Sequence, residues 1–93
     1  MRQTTPAARL VAVASSANSG SALLASSNRQ GLIAYNSDAN VCYLKYGTTA
    51  AATDFTVAIP SGGYWEMPEP IYQGAIDVIW AADGSGSLYL TEL

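Results

Sequence analysis

Few side chains in this 93-residue sequence could carry out chemistry, and histidine is absent altogether. That removes the commonest general base and the commonest metal ligand together, and with them any Ser-His-Asp or Cys-His nucleophilic set. Glu66 and Glu69 are close enough in sequence to suggest the carboxylate pair of a glycosidase. Glu66, however, alternates with Trp65 and Met67, as a polar residue on the outer face of a strand does. The run Asp83-Gly84-Ser85-Gly86-Ser87 spaces oxygen ligands like a calcium loop but supplies one carboxylate where such loops need several. It reads as a glycine turn. Neither Gly84-x-Gly86 nor Gly62-Gly63 leads into a helix whose N-terminus could hold a phosphate. Cys42 is the single cysteine, set in the apolar run Val41-Cys42-Tyr43-Leu44; it cannot form an internal disulfide and reads as a small buried hydrophobe. No catalytic residue, cofactor or metal is expected.

Aromatic residues are the remaining candidates. Tyr35, Tyr43, Tyr46, Tyr64, Trp65, Tyr72, Trp80 and Tyr89 are many for so short a chain. Such rings can stack on sugar faces, fill a core, or cluster at a contact between chains, where Tyr and Trp concentrate. No pair of carboxylates or amides accompanies them to orient a sugar, which favours the contact. The expected contact residues are Tyr64, Trp65, Tyr72 and Trp80, with Arg29 and Asp77 as polar partners.

The elements that position these residues follow from short alternating patterns. Arg9 to Ala14 is β-branched at alternate positions. Ala22 to Ala25 is a short second strand after the turn at 15–21. Gln30–Asn36 and Val41–Tyr46 are apolar and aromatic, and Ser37-Asp38-Ala39-Asn40 has the length and residues of a hairpin loop between them. Over residues 54–60, Phe55, Val57 and Ile59 fall on one face until Pro60 ends the strand. Ser61-Gly62-Gly63 turns into Tyr64–Met67, and Pro68 and Pro70 keep the following link irregular. Ile76, Val78 and Trp80 share a face, and residues 81–87 read as a hairpin loop before a last strand at 88–93. No segment keeps a helical period. About eight short strands, with a turn roughly every ten residues, predict an all-β fold: a single small antiparallel β-sandwich or barrel. Residues 9–93 form that one domain, and residues 1–8, polar and containing Pro6, form a flexible N-terminal arm.

Composition bounds the function. Hydrophobic residues make up 49% and charged residues 12%, with a net charge of −3. This is no disordered chain, and without a Lys/Arg cluster it is no nucleic-acid binder. A chain of this length buries roughly two-thirds of its unfolded surface, enough for a modest core without disulfides. Residues 10–28 are uncharged but too rich in serine to span a bilayer, and with no clean apolar run after the N-terminal residues a signal peptide is not expected. A soluble protein folding in a reducing cytosol is expected. Its sparsely charged surface and open strand edges invite association with another chain.

From about Thr5 to Leu93 the sequence resembles small virion proteins of tailed bacteriophages. The resemblance is carried by Thr5-Pro6-Ala7-Ala8-Arg9-Leu10-Val11, by Leu23-Leu24-Ala25 with Asn28-Arg29-Gln30-Gly31-Leu32, and by Tyr35-Asn36. It continues through Tyr43-Leu44-Lys45-Tyr46-Gly47, Phe55-Thr56-Val57-Ala58-Ile59 and Gly62-Gly63-Tyr64-Trp65-Glu66-Met67-Pro68. Tyr72-Gln73-Gly74-Ala75-Ile76-Asp77-Val78-Ile79-Trp80 and the ending Leu90-Thr91-Glu92-Leu93 complete it. Cys42 and residues 68–70 are less typical. The resemblance implies a capsid cement or decoration protein, made in the host cytoplasm and placed on the outer capsid surface. Its implied partners are the major capsid protein and other copies of itself, most often as a homotrimer. The arm at 1–8 would order on the shell. The alternative is a tail, head-fibre or baseplate accessory domain that binds host surface glycan.

Overall fold

A computed structural model describes residues 8–93 as eight strands and no helix. They are β1 (Arg9–Ala14), β2 (Gly20–Leu23), β3 (Leu32–Asn36), β4 (Cys42–Tyr46), β5 (Val57–Ile59), β6 (Tyr64–Glu66), β7 (Ile76–Trp80) and β8 (Ser87–Glu92). Two antiparallel sheets of four form, ordered β1-β8-β3-β6 and β2-β7-β4-β5. The fold is the expected all-β sandwich, with open sheets rather than a closed barrel. Of the expected arm, residues 1–7 lie outside the described residues.

Each sheet turns its alternate residues inward. Leu32, Ala34, Leu88 and Leu90 from one sheet meet Cys42, Leu44, Ile59, Ile76, Val78 and Trp80 from the other in a single buried core. Val11 and Val13 of β1 pack against its margin, half-buried.

The connectivity departs from the alternation-based expectation. The segments around Ser37–Asn40 and around 81–87 are not hairpin loops: β3 and β8 lie in one sheet, β4 and β7 in the other. Each of these links carries the chain across the sandwich. Only β4 and β5 are joined within one sheet. Phe55 also leaves the face it shares in sequence with Val57 and Ile59. It lies before β5 and packs on the Tyr43 ring, with centroids 4.8 Å apart, on the outer side of the sheet.

A chain that keeps changing sheets must satisfy its backbone at both ends of the sandwich, and two buried polar side chains do so. At one end Arg29, only 1% exposed, donates to the carbonyls of Leu24 (2.9 Å), Tyr72 (2.8 Å) and Gly74 (3.0 Å). Its Nε also meets Glu92 Oε2 at 2.8 Å. At the other end Asn36 Nδ2 donates to the Asn40 and Ile59 carbonyls, while its Oδ1 accepts from Trp80 Nε1 (3.2 Å) and the Asp38 amide (3.1 Å). Asp38 accepts from the amides of Asn40 (3.0 Å) and Gly86 (2.8 Å). A Cβ on Gly86 would stand 2.5 Å from the Asp38 Cα, so the loop at 81–86 closes over this knot only with glycine there. Among the described residues no buried side-chain nitrogen or oxygen lacks a partner.

These carboxylates should make the fold less stable in acid. Burial opposes the Glu92 charge, but hydrogen bonds and charge from Arg29 and Arg9 outweigh it and hold its pKa below 4.5. Backbone amides at Asn40 and Gly86 hold Asp38 below 3.8. Both groups therefore bind protons more readily in the unfolded chain. Their stabilisation is full above about pH 4.5 and is lost as pH falls through the lower folded values. Denaturant melts between pH 7 and pH 2.5 should show a midpoint that declines below about pH 4.5. Arg29→Met should cost about 3–5 kcal/mol at neutral pH, because it strands three carbonyls and a mostly buried carboxylate.

Candidate interaction face

The six residues expected at a contact are spread through the molecule. Trp80 is 2% exposed and belongs to the core, and Arg29 is the buried clamp already described. Neither can offer its side chain to another molecule, so both are corrected to internal roles. Arg29 is drawn inward because its guanidinium fork can serve several carbonyls at once, which outweighs desolvation. Trp80 follows the inward alternation of β7 and finds an acceptor for its indole in Asn36.

Tyr72 lies half-buried, its ring stacked on Tyr46 with centroids 4.4 Å apart and planes within 2°. Its hydroxyl donates to the Ala75 carbonyl. Trp65 tilts against the same Tyr46 ring at 6.3 Å. These three aromatics close the Arg29 end of the sandwich. Burial raises the Tyr46 pKa, opposed by the nearby Arg29 charge. Asp77 is on the outer face of β7, where its Oδ2 accepts from the Thr49 amide at 2.7 Å. Only Tyr64 of the six stands largely in solvent, at 60% exposure.

The two outer faces differ. Over the β2-β7-β4-β5 sheet the chain between β4 and β5 folds back as a cover. Thr49 caps Asp77, Ala50 is buried with its amide on Ser19 Oγ, and Lys45 Nζ bridges Asp54 Oδ2 at 2.6 Å and the Thr49 carbonyl. Phe55 seals Tyr43. Over the β1-β8-β3-β6 sheet no described segment takes that place.

Strand register defines what this open face presents. Tyr64 of β6 lies opposite Tyr35 of β3, which lies opposite Tyr89 of β8, which lies opposite Ala12 of β1. Three tyrosines thus form one row across adjacent strands, about 5 Å from one to the next. Tyr35 and Tyr89 are 45% and 49% exposed. The neighbouring row runs Glu66, Ile33, Thr91, Leu10, ending in a leucine that is 78% exposed. Glu66 is the one charged residue in the two rows. The Tyr64 hydroxyl donates to its Oε1 at 3.2 Å.

Of this outward-facing set, sequence reasoning named Tyr64 and did not name Tyr35, Tyr89, Leu10 and Ile33. The usable signal was the alternation of Leu32, Ala34 and Asn36 with Ile33 and Tyr35, and of Leu88 and Leu90 with Tyr89. Once Asn36 is known to be buried, the tyrosines are the outward set. Other chemistry stays internal: Cys42 is fully buried, and burial with the nearby Asp38 charge pushes its thiol up to about 12. No cluster of His, Cys, Asp or Glu suited to a metal ion occurs among the described residues. Among the described residues no helix is long and apolar enough to cross a membrane.

Among the described residues, the features that remain available for function are an exposed, aromatic, nearly uncharged sheet face and the edges beside it. Comparison with known protein families, curated proteins and solved structures gives no match for this chain.

Two measurements check this face. The Glu66 hydrogen bond and charge raise the Tyr64 pKa above 10.0; a site-resolved titration of Tyr64 should show that upward shift. Glu66→Gln should bring it down. Tyr35→Thr, which keeps a strand-forming residue on central β3, should cost no more than about 1 kcal/mol of folding stability, because the ring contributes little to the core.

Proposed function

We propose that this chain is a non-enzymatic structural protein of a tailed-phage virion, a capsid cement or decoration protein that binds the outer surface of the major capsid protein. It acts there in several copies. The resemblance spanning residues 5–93 supports the virion role, and the open face of the β1-β8-β3-β6 sheet carries the docking role. A row of half-exposed tyrosines flanked by Leu10 and Ile33 is costly to leave in water. Tyrosine offers large contact area at small entropic cost, which suits a rigid protein contact. The buried polar clamps hold the sheet under this face in one shape, so docking demands little reordering.

A second reading has its own observation. Tyrosines exposed in a row, with the Glu66 carboxylate at one end, also suit stacking on a sugar chain. In that case the domain belongs to a tail, head fibre or baseplate and binds host surface glycan.

Cosedimentation of the purified protein with capsids that lack it separates the two. Saturable binding is expected, weakened about thirtyfold or more by Tyr35→Asp, the loss of a hot-spot tyrosine worth about 2 kcal/mol. The circular-dichroism spectrum should stay the same, which separates lost binding from lost folding. Wild-type protein that leaves shells bare while giving calorimetric heat with host polysaccharide would overturn the decoration reading in favour of the glycan one.

A further inference from the structure

Four strand edges border the two sheets, and three of them are blunted. β6 is three residues long and Pro68 follows it closely; β5 is three residues long and ends at Pro60. β2 has four residues and a register irregularity between Ser21 and Leu23. Short strands, prolines and bulges are the usual means of discouraging strand addition. β1 has none of them. It runs six residues in unbroken register with β8, from Arg9 opposite Glu92 to Ala14 opposite Ser87. It carries no lysine, proline or glycine. Its single charge, Arg9, is turned across the sheet to Glu92, with Nη2 3.1 Å from Oε1.

The backbone parity of this edge can be read. Ser15, which continues β1, donates its amide to the Gly86 carbonyl at 3.0 Å. In an antiparallel ladder such bonds alternate along the strand. The odd-numbered residues of β1 therefore bond to β8, and Leu10, Ala12 and Ala14 direct their N–H and C=O groups away from it. The side chains of these three stand on the same outer face as the tyrosine row, and two of them are only methyl groups. A neighbouring strand can thus approach without a clash.

We propose that β1 pairs antiparallel with β1 of a second copy, about a two-fold axis at Ala12, to give a continuous eight-stranded sheet. In this register Ala12 faces Ala12 of the other copy and Leu10 faces Ala14, so every outward-directed group of β1 is used. The pairing forms about six backbone hydrogen bonds. Val11 of each copy faces Val13 of the other on the inner side, covering the half-buried margin of both cores. Antiparallel pairing puts the two Arg9 residues at opposite ends of the joint, whereas parallel pairing would set them side by side. Because Ala12 shares its row with Tyr89, Tyr35 and Tyr64, the axis also joins two tyrosine triads into one line. A two-fold pair departs from the trimer that the phage resemblance implies, and it stands independently of what the tyrosine face binds.

Sedimentation equilibrium of the full-length chain tests the joint directly. Native protein should give twice the 9.7 kDa monomer mass. Ala12→Pro removes an N–H that points away from β8, so the strand itself tolerates it; the mass should halve with an unchanged circular-dichroism spectrum. Ala12→Cys should form an intermolecular disulfide across the axis on mild oxidation, since opposed hydrogen-bonded residues lie within disulfide reach. A native monomer or trimer at high micromolar concentration would overturn the proposal. So would a dimer that survives Ala12→Pro and forms no intermolecular disulfide in the Ala12→Cys variant. Capsid binding by a strictly monomeric or trimeric protein would overturn the joint and leave the decoration role standing.

Discussion

Arg29 is the interaction on which the sandwich most depends. A single side chain holds the links before β3 and before β7 through three carbonyls, and ties both to the end of β8 through Glu92. Burying a guanidinium is expensive, and it succeeds here because four of its hydrogen bonds go to fixed acceptors, one of them charged. The clamp is needed because nearly every connection crosses between the sheets. A crossing chain leaves the ladder and exposes unpaired carbonyls where water is partly excluded. Asn36 and Asp38 solve the same problem at the opposite end with a neutral amide and one carboxylate.

The topology also accounts for how much was legible in the sequence. Period-two alternation marks which residues share a side of a strand, and it identified the inward set of β7 and the approximate position of every strand. It carries no information about which strand lies alongside. Residues 37–40 have hairpin composition, yet Asp38 and Asn36 spend their polar groups on a knot that turns the chain toward the other sheet. The local pattern of a hairpin and of a sheet-crossing turn is the same; only long-range partners such as Gly86 and Trp80 separate them.

The candidate face was less legible than the fold for a related reason. Polar residues usually mark the outside of a strand, but in β3 the inward set ends in Asn36 and the outward set contains Ile33 and Tyr35. The inversion is stable because Asn36 is fully hydrogen-bonded. Arg29 was misplaced by the same rule, since a charged residue in a serine-rich turn ordinarily points to water.

These inversions change what the low charge content means. The chain has few charged residues, and several of the described ones are turned inward or paired: Arg29 and Asp38 are buried, Glu92 is nearly so and bridges two arginines, and Lys45 is tied to Asp54. Charge that would ordinarily keep a small domain apart from its neighbours is used instead to hold the turns between sheets. The outer surface of β1-β8-β3-β6 keeps little more than Glu66. The same polar bonds that make the frequent sheet crossings possible therefore strip one face of its electrostatic defence, and an aromatic, sparsely charged surface follows from the way this sequence closes its own ends.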